Sequence, residues 1–342
     1  MRNPLAHLVL ARLRESFRQP ETIFWTFLFP ALLAVALGIA FRGGRPDSSS
    51  VVVVPESGYE QLARSLGSDN AIRAEVLDRR TAELRLRTGR AALVVIPGNP
   101  LVYRFDPTRT ESHLARAAVD AAIQRAAGRP DPVPVADERV TEPGSRYIDF
   151  LIPGLLGMNL MGGGLWGIGW SIVEMRIRKL LKLQLAAPMR RRDFLLSHIL
   201  SRMVFVPLEV VPLLALAGLL FDVSVRGSAI GLLVVVTAGA FSFAGLGTLL
   251  AARARTTQMI YGLINLCTLP MFVLSGVFFS TGRFPDALQP LIKALPLTAL
   301  IDALRAVIND GASVLSLGPQ FLVLGLWGVL SFAGTRTLFR WS

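Results

Sequence analysis

The chain has 342 residues, 52% of them hydrophobic and 18% charged, with a mean hydropathy of +0.50. Soluble domains carry about 25% charged residues, and the apolar excess here is gathered into long runs, which excludes an ordinary soluble enzyme. The formal net charge of +12 lies mostly beside those runs, pointing to a positive-inside loop bias rather than nucleic-acid binding, and the single cysteine, Cys267, cannot form an internal disulfide.

In residues 1–22, Leu5, Val9, Leu13 and Phe17 recur at four-residue spacing, with Arg12, Arg14 and Arg18 supplying a polar face. This pattern predicts an amphipathic helix at the membrane interface, ended by Pro20. The first apolar run, 23–41, is long enough to span and lacks a small-residue cleavage site after it, so it reads as a retained span and not a signal peptide.

Residues 42–147 read as a small α/β domain. A Gly-, Pro- and Ser-rich linker leads to strand signals at 51–54, 91–96 and 101–105 and helix signals at 58–66 and 110–127, and a Pro-rich stretch leads back to the membrane. This insert is either a vestibule or docking site for an outer partner, or a structural cap. Further spans are predicted at 148–173, 203–221, 229–252, 258–279 and 318–338, giving an all-α polytopic membrane protein with six transmembrane helices and an inserted extracytoplasmic α/β domain. Arg and Lys concentrate before the first span, after the second (174–202), after the fourth and in the tail at 339–342, which puts both termini in the cytoplasm.

The loop 174–202 is the most informative segment. After Glu174, basic and apolar residues alternate as far as Leu185; Ala187 and Pro188 break the helix, and Met189, Arg190, Arg191, Arg192, Asp193 and Phe194 lead into the third span. Such a surface suits docking to a cytoplasmic protein, and equally an anchor on anionic lipid. Among residues inside spans, Glu209 lies between Pro207 and Pro212, where it could line a polar pathway, pair with Arg202 or bind a cation. Asn159 and Asn265 are polar span residues that suit interhelical hydrogen bonds or a pathway. Asp149 is expected at the outer interface rather than buried. The three histidines are scattered, so no metal site is argued.

This order of parts resembles the membrane permease of a type-2 ABC exporter, in the subfamily with a large extracytoplasmic domain after the first span. The resemblance covers essentially the whole chain. It rests on Glu174, the basic helix from Arg176 to Lys182, Ala187-Pro188 followed by basic residues and Phe194, and on the last outer loop with Gly276, Phe279, Pro285 and Pro296. No Gly-Thr pair follows Glu174, as it does in many relatives. The resemblance implies a coupling helix in 174–202 that receives motion from a separate cytoplasmic P-loop ATPase, which would hold the ATP and Mg. It also implies a re-entrant gate in 280–317, a homodimer or heterodimer with a second permease, and a place in the inner membrane of a prokaryote. An outer adaptor, periplasmic or extracellular, would fit the large insert. The chain itself has no G-x-x-x-x-G-K-[ST] loop and no catalytic constellation, so it is expected to bind no cofactor and to hydrolyse no ATP alone. Rival readings are an ATP-independent carrier or channel, which would favour paired intramembrane charges and internal repeats, a lipid-modifying membrane enzyme, and a force transducer that moves no substrate.

Overall fold

The computed structural model describes residues 20–40, 49–129 apart from 68 and 70, 146–181 and 191–339, with isolated positions before residue 20 and at 183. It divides into two compact units, 43–139 and the remainder of the chain.

The first unit is built on a four-stranded sheet. Its strands are β1 (Ser49–Val53), β2 (Ile72–Val76), β3 (Leu93–Ile96) and β4 (Val102–Arg104), in the order β2-β1-β3-β4. β1 runs parallel to β2 and β3, and β4 pairs antiparallel with β3. Parallel neighbours need crossovers, supplied by α1 (Tyr59–Gly67) and α2 (Arg79–Arg87); α3 (Thr110–Ala126) follows the sheet. Val51, Val53, Leu93 and Val95 bury one face with Leu66, Ala115 and Val119, while Val52, Val54 and Val94 bury the other with Ala82. Covering both faces explains why β1 is an unbroken apolar run.

The sequence pattern exposes three of the four strands and two of the three helices. It misses β2 and α2. β2 (IRAEV) is an edge strand with two charged residues, so its apolar content is too low to signal. α2 (RRTAELRLR) is mostly charged and buries only Ala82 fully; its start is marked by Asp78, whose carboxylate accepts from the Thr81 amide at 3.1 Å.

The second unit is a helix bundle. Five helices are long and apolar enough to cross a membrane: α5 (Tyr147–Ile177), α6 (Leu196–Phe221 within a helix that begins at Arg191), α7 (Ala229–Ala251), α8 (Thr257–Leu274) and α11 (Val314–Leu338, opening as a 3-10 turn). Ahead of them, α4 comprises residues 20–40, with a π-helical stretch at Phe24–Leu28 and a shorter apolar part, Phe24–Ala40. Between α8 and α11 lie α9 (Gln289–Ala294) and α10 (Pro296–Ile308).

The bundle has a centre and a periphery. Within the apolar windows, 72% of α5 and 61% of α7 is buried, against 33% of α6 and 22% each of α8 and α11. Apolar surface alone gives no driving force between helices in lipid, so close packing must supply it. Glycine provides that where α5 meets α7: a Cβ at Gly247 would fall 2.2 Å from the Gly164 carbonyl oxygen, and one at Gly164 would fall 2.5 Å from the Phe243 Cβ. The Gly-rich part of α5, Gly163–Trp170, is wound as a π-helix. The fifth expected span ends earlier than the apolar run suggests, at Leu274 and not at 279, because Gly276 turns left-handed (φ 76°) and closes the helix.

Candidate functional site

At one end of the bundle, α5 finishes beside the end of α7. Glu174 pairs with Arg178 at 2.6 Å, one helical turn on. Arg176 reaches sideways and donates to the carbonyls of Ala251 (2.7 Å), Ala252 (3.3 Å) and Ala254, with its guanidinium 5.3 Å from the Phe339 ring centroid. The last carbonyls of a helix have no partner within it, and a cation there also complements the helix dipole. Arg176 therefore joins the ends of the two central helices. Arg191, Arg192, Asp193 and Phe194 form the first turn of the helix that carries α6. Leu185, Ala187, Pro188, Met189 and Arg190 lie outside the described residues, as do Leu5, Leu13 and Phe17; Val9 is helical and half-buried.

Deeper in the bundle, Glu209 and Arg202 on α6 form a buried ion pair, with side chains 4% and 6% exposed. A second hydrogen bond from the Arg202 Nη2 reaches the Glu209 Oε2 at 2.8 Å, and the same nitrogen donates to the Leu160 carbonyl of α5 at 3.3 Å. Gly163 makes room for the guanidinium: a Cβ there would lie 2.2 Å from it. The neighbouring Asn159 donates to the Thr26 carbonyl of α4 at 2.9 Å. Asn265 is exposed on α8 and has no place in this cluster.

The opposite end carries a network of side chains holding backbone carbonyls. Pro153 sits in the second turn of α5 and has no N–H, so the carbonyl of Asp149 loses its helical partner. Asn309, just past α10, donates to that carbonyl at 2.9 Å. One turn earlier, Arg305 donates to the carbonyls of Phe150 (3.2 Å) and Gly276, with its guanidinium 3.6 Å from the Phe150 ring centroid. Asp149, expected at the interface, is instead 2% exposed and bridged to Arg146 at 2.9 Å; Arg146 also donates to the Phe221 carbonyl at 2.8 Å. Donation to the Asp149 carboxylate holds the Arg146 guanidinium above its usual range.

Of the expected gate residues, Gly276 lies in this network and Pro296 opens α10, where it is buried. Phe279 is half-buried, 5.8 Å from the Phe284 ring, and Pro285 is exposed. Sequence reasoning misses Arg305 and Asn309 as site residues: both fall in the segment 280–317, where only Pro285 and Pro296 are singled out. The available signal is an arginine three residues after Asp302 in a mostly apolar helix, four residues before an asparagine, together with a proline in the second turn of a span. Among the described residues no three of His, Cys, Asp or Glu are arranged to hold a metal.

Five apolar spanning helices around a glycine-packed centre define a polytopic helical membrane protein carrying an inserted α/β unit. The family model described as ABC-2 family transporter protein matches residues 20–335, and the chain belongs to that family as a membrane permease. No curated protein matches it.

Proposed function

We propose that the chain is the membrane half of an ATP-driven exporter that moves substrate out of the cytoplasm or inner leaflet, working with a separate P-loop ATPase and a second permease. In this reading α4 is the sixth span and both termini are cytoplasmic, in the inner membrane of a prokaryote. The α/β unit and the segment 280–317 then lie on the outer side. The observation that carries the proposal is the Arg176 joint: a single guanidinium at the start of the basic segment 174–202 links the ends of α5 and α7. Closure of an ATPase dimer against that segment would move both central helices at once, tilting the bundle toward an outward-open state. The exposed apolar faces of α8 and α11 suit lipid and the second permease.

Two measurements test this. Affinity purification from native membranes in mild detergent is expected to bring down a stoichiometric P-loop ATPase; its reproducible absence from a folded, oligomeric preparation would favour a carrier or channel. With that partner in hand, replacing Arg190, Arg191 and Arg192 together by Glu is expected to abolish stimulation of the ATPase while leaving membrane insertion intact. Unchanged stimulation would remove the docking role.

A further inference from the structure

We infer that Arg305 and Asn309 form a releasable clasp that positions the first turn of α5 and keeps this end of the bundle closed. The two residues are four apart, so they project from one face of the helical turn that ends α10. Both grip main-chain oxygens: Asn309 the Asp149 carbonyl, Arg305 the carbonyls of Phe150 and Gly276. The grip thus spans α5 and the left-handed turn that closes α8.

Pro153 removes the amide that would ordinarily face the gripped carbonyl. A continuous helix would satisfy the Asp149 carbonyl through the amide of residue 153, and proline supplies none. The first turn of α5 is therefore coupled to the rest of that helix by one hydrogen bond fewer than an unbroken helix provides, and α10 supplies the missing one. Leu151 and Ile152, between this turn and Pro153, are fully buried. Release of Arg305 and Asn309 would free the turn to swing about Pro153 and uncover them. This inference rests on the exporter reading only for what drives the release; the clasp itself can be tested without any ATPase.

The test uses the full chain with Cys267→Ala and one introduced cysteine, either Leu151→Cys, between the clasped turn and Pro153, or Ile172→Cys, fully buried toward the other end of α5. The rate of modification by a maleimide is read in membranes. Asn309→Ala and Arg305→Gln are each expected to speed labelling at 151 about tenfold, the factor corresponding to one hydrogen bond of ordinary strength, and to leave 172 unchanged. Arg305→Lys, which keeps a cationic donor group but loses the planar fork, should fall between. Pro153→Ala returns an amide to the Asp149 carbonyl, so in that background Asn309→Ala should lose most of its effect. Three results would overturn the clasp: labelling at 151 that does not change, labelling that rises equally at 172, or a response to Asn309→Ala that is as strong in the Pro153→Ala background as in the chain that keeps Pro153. If the clasp holds but no ATPase co-purifies, the exporter reading fails and the clasp stands.

Discussion

Both ends of the bundle are held by an arginine over a phenylalanine ring donating to backbone carbonyls, yet the two joints differ in kind. Arg176 caps the end of α7, where the orphan carbonyls belong to an intact, deeply packed helix. Arg305 grips a turn that Pro153 leaves one hydrogen bond short within its own helix, and another turn closed by Gly276. In the proposed reading the first arrangement would transmit motion between two helices, and the second would hold a weakened turn in place. Similar chemistry gives a rigid coupling at one end and a latch at the other, because what decides the outcome is the stiffness of the element that supplies the acceptor.

The largest expected effect lies between the ends. Arg202→Ala would leave the Glu209 carboxylate buried without its partner, at a cost of about 3–5 kcal/mol. The double replacement Arg202→Met with Glu209→Leu should cost far less, since it removes both charges. Unfolding in detergent, compared across the three proteins, checks this. A single variant as stable as wild type would mean that the pair adds nothing, and that neither joint is braced by the middle of the bundle.

The next effect separates the joints directly. Arg176→Ala should lower unfolding stability by about 1–3 kcal/mol, because it abandons several carbonyls at once, and should leave labelling of a cysteine at 151 unaltered. Arg305→Gln should do the reverse, with a small stability change and faster labelling. If Arg176→Ala also exposed position 151, the two ends would be one cooperative unit and the contrast drawn above would collapse.

The sequence makes the bundle legible because a spanning helix must be about 20 apolar residues long, a signal that survives any detail of packing. The short strands of the α/β unit also show where both faces are buried, as in Val51 to Val54. β2 and α2 escape notice because each is half solvated and its charges mask the period. The joints are harder to see. Arg305 looks like an ordinary loop charge and Arg176 stands out only as the start of a basic helix; the role of each depends on carbonyls contributed by residues as distant as Ala251 and Phe150, which no local pattern names. Pro153 is the readable half of the latch, but the carbonyl it orphans is held by Asn309, 160 positions further along the chain.

The smallest expected effect belongs to the α/β unit and gives a control for both ends. The Tyr103 phenol donates to the Asp120 carboxylate at 3.2 Å, and burial, reinforced by the Asp120 charge, pushes its pKa up to about 12. An unfolded tyrosine titrates near about 10. Folding thus favours the neutral phenol. That contribution is fully present below about pH 10 and is lost as pH rises through the folded value. Phenolate absorbance in a titration of wild type minus Tyr103→Phe should therefore rise near pH 12. Asp120→Asn should bring the transition down only part of the way, since burial is the larger cause. Tyr103→Phe should leave labelling at positions 151 and 172 at wild-type rates, because its hydrogen bond to Asp120 lies within its own unit. A Tyr103 phenolate forming near pH 10 would show that the hydroxyl is open to water and that the Asp120 bond is not made. A change in labelling would show that the α/β unit bears on the latch, and the contrast between the two ends would then have to include a third region.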